Sequence, residues 1–308
     1  MNWKRIFTYS FFSYLFSWTI IIPILVFGWS IEKVATKILI AAFYMYGPFW
    51  AVLFIKKIIY KERFDYLKWN KSKINYRFLF LIPIIFIAFI LVGFLTIYLM
   101  ENISSNHNWG KLVFSTDGII SNIEKLAGDK KDKIEKIVFL LEKIPSSMFF
   151  IINILQAIII GGIFNIPFVF GEEVGWRGFL LDETKSLGFF KSSLIIGLIW
   201  GLWHMPLILL GLNFKKSYDF FTVLIMVLST ICFSPIFTYI KFKSNSILGT
   251  CIFHGMINAS AGIFLIFVSN QDLTYSSICG IAGSIALIAL STTIYLIDKK
   301  SINNFYKN

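Results

Sequence analysis

FLFLIPIIFIAFILVGFLTIYLM, from Phe78 to Met100, runs for 23 residues without one charged side chain. A hydrocarbon core about 30 Å thick needs roughly 20 helical residues to cross it, so this stretch is long enough to span a bilayer. In lipid the backbone must satisfy its own hydrogen bonds, which a helix does. Similar apolar runs recur at about 6–28, 34–58, 147–181, 192–212, 220–240, 246–268 and 274–297. Together they make eight spans.

The composition agrees: 57% of the 308 residues are apolar, 15% are charged, and the mean hydropathy is +0.73. The chain reads as an all-α polytopic membrane protein, one integral domain over 1–308 with about eight transmembrane helices. No internal repeat, Gly/Ser linker or low-complexity segment divides it. The first run is full-length and aromatic-rich and lacks a small-residue cleavage pattern, so it reads as a retained helix and not a leader. Cys232, Cys251 and Cys279 lie inside apolar runs without paired spacing, which argues against a disulfide framework or a thiolate zinc knuckle.

A net charge of +12 raises nucleic acid as a partner, but membrane topology accounts for it better. With the N-terminus inside, inner segments hold about 18 of the 29 Lys and Arg residues, as the positive-inside rule requires. Lys56, Lys57, Lys61, Arg63, Lys68, Lys71, Lys73 and Arg77 crowd the 56–77 loop and face anionic lipid head groups in this reading. Both termini are then cytoplasmic, in a multi-pass protein of the cell membrane. Residues 101–146 form a long outer loop in which seven lysines are balanced by seven acids. Within it Ile134, Ile137, Val138, Leu141 and Ile144 recur at helical spacing beside Lys130, Lys133, Lys136 and Lys143. That pattern predicts an amphipathic helix, lying either on the membrane interface or on the protein's own outer face.

Ionisable groups inside spans carry the functional information, because each is costly there without water or a partner. Among the acids, Glu172 and Glu173 alone fall within a run, joined by Arg177, His204 and His254. The stretch 148–181 would be about 50 Å long as one helix, so a break is expected at Gly161-Gly162 or Pro167. Counted from the nearest span ends, Glu172, His204 and His254 lie about 14, 18 and 12 Å deep. All three are expected in one cavity.

Helical spacing then separates their jobs. Glu173 and Arg177 are four residues apart and share a face, whereas Glu172 points about 100° away and keeps no charged partner. Such a carboxylate suits a general base. His254 and Asn258 are also four apart and present two donors that could hold an oxyanion. Glu172, assisted by His204, would then polarise a water for attack on a peptide carbonyl.

Glu172-Glu173-x-x-x-Arg177, Trp200-x-x-x-His204 and His254-x-x-x-Asn258, in that order over about 147–268, resemble the motifs of the CAAX protease and bacteriocin-processing family. This group of intramembrane glutamic proteases includes the type II CAAX prenyl endopeptidases. The resemblance implies eight helices around a conical, cytosol-facing cavity and cleavage near the C-terminus of a membrane-associated or prenylated peptide. It implies Glu172 as base, His204 as its helper on water, His254 and Asn258 as the oxyanion pair, and Glu173 with Arg177 as the supporting ion pair. No cofactor or metal is called for. Trp200 stands where the family usually has Phe, which reshapes one wall of the cavity and leaves the substrate open.

Four other readings remain at this level. A non-proteolytic scaffold or bacteriocin-immunity protein could use the same fold. Two histidines and a glutamate could bind zinc, although H-E-x-x-H is missing. Cys251 shares a helix face with His254 and could be a nucleophile, although a small apolar cysteine in a span usually packs. Embedded charges could mark a transport path, although no inverted repeat is visible.

Overall fold

The computed structural model describes residues 2–31, 33–66, 74–103, 107–128, 134–216 and 218–305. Seven helices among them are long and apolar enough to cross a membrane: α1 (Trp3–Val26), α2 (Val34–Ile59), α3 (Tyr76–Ile103), α4 (Ser146–Phe164), and, after two further segments, Phe220–Ser244, Ile247–Phe267 and Leu273–Asn303. The two intervening segments are α5 (166–184) and the shorter apolar α6 (Phe189–Trp203). The last three long helices are α7, α8 and α9. With α6 as the short member, the chain is the all-helical multi-pass membrane protein that its hydropathy predicts.

Two breaks that bear on the site both occur at prolines. The 147–181 run divides at Asn165, and α5 begins with Pro167 in its first turn. The 192–212 run stops at Trp203, and a short helix, Met205–Leu209, restarts with Pro206 near its N-terminus. Proline has no N–H for the turn before it and its ring collides with that turn's carbonyl, so each helix must break just upstream. One break places Asn165 and the other His204 at a kink.

Small residues let the helices around these kinks approach closely. A Cβ built on Gly197 of α6 would lie 2.6 Å from Ile231 Cα, and one on Gly201 would lie 2.6 Å from Val227 Cα, so α6 and α7 touch backbone to backbone. Thr230 Oγ1 donates to Gly197 O at 2.9 Å across that seam. On the other side Gly161 of α4 faces Gly255 of α8, and Asn165 Nδ2 donates to Gly255 O at 3.0 Å. Small-xxx-small seams with interhelical hydrogen bonds are what hold helices together when lipid supplies no hydrophobic drive.

The bundle has two distinct ends. One carries the N-terminus, the 60–66 loop and the turns near 186 and 245. There Arg5 pairs with Glu62 at 2.5 Å and Glu183 at 2.7 Å. The hydrogen bond from Arg5 holds the Glu62 carboxyl down at about 2. The opposite end carries the 107–145 segment and the connections 210–219 and 268–272. It is tied by a two-residue antiparallel ladder, Lys111 opposite Ser269 and Leu112 opposite Val268. The amphipathic helix expected over 134–144 is confined to Glu135–Leu141, with Leu141 buried; Lys130 and Lys133 lie outside the described residues, as do Lys68, Lys71 and Lys73. A second surface helix, Thr116–Ala127, packs Ile119 and Ile123 inward.

Candidate active site

Glu172 and Glu173 stand where α5 changes from α-helical to π-helical winding, at the start of Val174–Leu180. Such π-turns often mark functional positions, because the extra residue re-aims side chains. Both carboxylates are buried, and so is Arg177. As the four-residue spacing predicts, Arg177 Nη1 donates to Glu173 Oε1, at 3.2 Å. The guanidinium also packs against two aromatic rings that meet edge to face, with Cζ 4.4 Å from the Trp200 ring centroid and 4.1 Å from that of Phe237. A carboxylate and two π-faces together make this buried cation tolerable.

Glu173 has a second partner that helical spacing within α5 could not reveal. His254 Nδ1, on α8, lies 2.7 Å from the same Oε1. Since a carboxylate only accepts, Nδ1 carries the proton, and the ring's Nε2 is left for the cavity. His204 is oriented in the same fashion by a different acceptor: its Nδ1 is 2.8 Å from the carbonyl oxygen of Trp200. Its Nε2 therefore holds a lone pair when the ring is neutral.

Among the described residues Glu172 has no ion-pair partner, but it is not free of hydrogen bonds. Trp200 Nε1 donates to its Oε2 at 2.8 Å, and Trp176 Nε1 reaches the same oxygen at 3.4 Å. Two neutral indoles thus fix one oxygen of the carboxylate. Trp200 has two roles at once, its edge holding Glu172 and its face covering Arg177. Trp176 was missed in the sequence reading, although its place four residues after Glu172 is a visible signal.

Glu172, Trp200, His204, His254 and Asn258 all line one cavity of about 240 Å³. Glu173 and Arg177 are not among its lining residues; they lie behind His254 and Trp200. Asn258, one turn beyond His254, is exposed where this cavity meets a neighbouring one. Cys251 is buried and absent from the cavity wall. Among the described residues no three His, Cys, Asp or Glu side chains converge as a metal-ligand group.

The cavity also takes walls from Leu212, Asn213, Ile278 and Cys279, which belong to the end of the bundle away from the 60–66 loop. If the cavity opens at that end, a cytosol-facing cavity puts the termini on the other side of the membrane. Labelling with a membrane-impermeant maleimide in intact cells decides the matter. Lys215→Cys is expected to react from outside if charge sets the orientation, and Lys61→Cys if the cavity faces the cytosol.

Comparison with known proteins adds two findings. Residues 146–260 match the family model described as "Type II CAAX prenyl endopeptidase Rce1-like". A curated relative, "CAAX prenyl protease 2" of Methanococcus maripaludis, is 33% identical over 136 residues, covering 42% of this chain and 46% of the relative. The match thus spans less than half of either protein. The family match over 146–260 ends before α9 and takes in every residue from Glu172 to Asn258 that lines the cavity.

Proposed function

We propose, on the match of residues 146–260 to the Rce1-like type II CAAX prenyl endopeptidase family model, that the chain is an intramembrane glutamic endopeptidase of that family. It hydrolyses a peptide bond near the C-terminus of a membrane-associated or lipidated substrate, with no covalent intermediate and no metal. The observation that carries this reading is the single cavity that gathers Glu172, His204, His254 and Asn258. In the proposed reaction a water donates to Glu172 and to the Nε2 lone pair of His204, and its oxygen attacks the scissile carbonyl. Glu172 takes the proton and later returns it to the leaving amine, while the new oxyanion is held by Asn258 Nδ2 and by His254 Nε2. To donate from Nε2, His254 must act as an imidazolium, and the Glu173 carboxylate at Nδ1 supplies the compensating charge. Trp176 and Trp200 hold Oε2, which leaves Oε1 to meet the water.

A lipidated substrate is supported by a larger apolar cavity of about 570 Å³ beside the first, between the start of α2 and the Asn165 break. Ile40, Met45, Leu212 and Asn258 line both. A lipid tail in the apolar chamber would leave the attached peptide in the polar one. The test is incubation of purified protein in lipid nanodiscs with farnesylated and unmodified peptides, read by mass spectrometry. A cut within the last few residues, with oxygen from labelled water in the new carboxylate and faster for the farnesylated peptide, is expected. No cleavage of any peptide would overturn the assignment.

A further inference from the structure

The connection after the kinked sixth span is built in an unusual way. Gly211, Asn213, Lys215 and Tyr218 all have left-handed backbone, with φ of 93°, 67°, 54° and 59°. For non-glycine residues this conformation is unfavourable, least so for asparagine, and a cluster of them persists only where the surroundings impose it. Here the segment is tied down along its length. Phe214 is buried among Ile208, Val223, Ile225 and Met226, Tyr218 N donates to Leu209 O at 2.7 Å, and Lys216 Nζ pairs with Asp272 at 2.7 Å.

This strap is the shared wall of three chambers. Leu212 lines the catalytic cavity, the apolar lateral cavity and a third cavity of about 360 Å³ at the same end of the bundle. The third chamber shares Leu212, Asn213, Ala261, Ile278 and Cys279 with the catalytic one. Of these five, Asn213 carries the one strong hydrogen-bonding side chain. It is exposed, and its Nδ2 lies 3.9 Å from Met226 Sδ, a weak acceptor. That contact occupies the amide nitrogen; no donor among the described residues reaches Oδ1, which is left as an open acceptor where the two chambers meet. Within the third chamber Ser277 is 9% exposed, and its hydroxyl has no hydrogen-bond partner among the described residues. A buried hydroxyl without a partner is costly, which favours a ligand able to supply one. Lys37 and Lys215 also line this chamber, but a peptide backbone is neutral and calls on neither charge.

We propose that the third chamber receives the short tail that cleavage releases, and that Asn213 at its entrance binds this tail through the backbone, Oδ1 accepting from an amide N–H just beyond the cut. The inference rests on the endopeptidase reading above. A tail of three residues spans roughly 10 Å when extended, and a chamber of about 360 Å³ takes a short peptide but no folded chain. Recognition through the main chain is indifferent to side chains, so Asn213 fixes the position of the tail and not its sequence. The tethered strap matters because a side chain held in place loses less freedom on binding than one on a loose loop.

The experiment uses a farnesylated peptide with a three-residue tail, two versions of it in which one or the other amide within the tail is an ester, and a version that ends at the lipidated residue. Binding to the Glu172→Gln protein in nanodiscs is measured by fluorescence anisotropy, and turnover of the all-amide peptide by the wild type separately. An ester has no N–H to donate, so one of the two esters is expected to bind about three- to tenfold more weakly, the usual effect of losing one neutral hydrogen bond. Asn213→Gly, chosen because glycine adopts left-handed backbone freely, is expected to weaken the all-amide peptide by the same factor and to leave that ester and the tailless peptide unchanged. Equal binding of both esters and the amide to the parent protein overturns the subsite without any change at Asn213. So does an ester penalty that survives Asn213→Gly, or a tailless peptide weakened as much as the full one. An ester penalty that depends on Asn213, without turnover by the wild type, upholds the subsite and removes the protease.

Discussion

Glu172→Gln is expected to lower kcat for peptide cleavage by roughly 10²- to 10⁴-fold, the usual contribution of a positioned general base. The amide is nearly isosteric, and its oxygen can still accept from Trp176 and Trp200, so the site keeps its shape while losing the basic oxygen. Substrate affinity and thermal stability should therefore change little, and the loss should fall on kcat with KM nearly constant. Single-turnover cleavage of a farnesylated peptide, with an unfolding scan on the same preparation, checks both parts. Activity within a few-fold of wild type would remove Glu172 from the role of base. Activity lost together with the fold would indicate that Glu172 is structural.

Arg177→Met is expected to act on stability first. Glu173 and Arg177 are both 0% exposed, and when the guanidinium is gone His254 is the ionisable group left against Glu173 among the described residues. Removing one partner of a buried pair leaves the other charge uncompensated, at a cost of about 3–5 kcal/mol. The rings of Trp200 and Phe237 also lose the cation packed against them. The measurement is the apparent Tm in detergent, with a double-mutant cycle through Glu173→Gln. Because the stranded carboxylate is the main penalty, the double variant should be less damaged than the sum of the two singles. Additive effects, or an Arg177→Met protein as stable as wild type, would mean that the pair contributes little and that the burial of Arg177 rests on its aromatic contacts.

Trp200 connects the two predictions. Its edge touches the proposed base and its face touches the structural cation, so the chemical and structural halves of the site share one ring. Phe at this position could not form the edge contact, because it has no N–H to donate.

Much of this was legible in the linear chain, and for identifiable reasons. Hydropathy located the spans because a bilayer imposes length and apolarity on each helix separately. The breaks near Pro167 and Pro206 are local, since proline acts on its own preceding turn. The Glu173–Arg177 pair followed from four-residue spacing, which one helix determines without its neighbours. Trp176 on Glu172 obeys the same rule and was equally readable.

What the tertiary structure decided lies between helices. No spacing within one helix tells that His254 reaches Glu173 from α8, that Trp200 of α6 donates to Glu172 of α5, or that the connection after the kink walls three chambers. Nor could charge counting show that the cavity lies away from the basic 60–66 end, since it assigns loops to sides of a membrane and says nothing about which end of the bundle is hollow. The sequence by itself determined the elements, their breaks and the short list of buried polar residues, because these depend on neighbours along one helix. Which of those residues meet, and at which end they open, depended on how separate helices pack, and that is set by contacts between residues far apart in the chain.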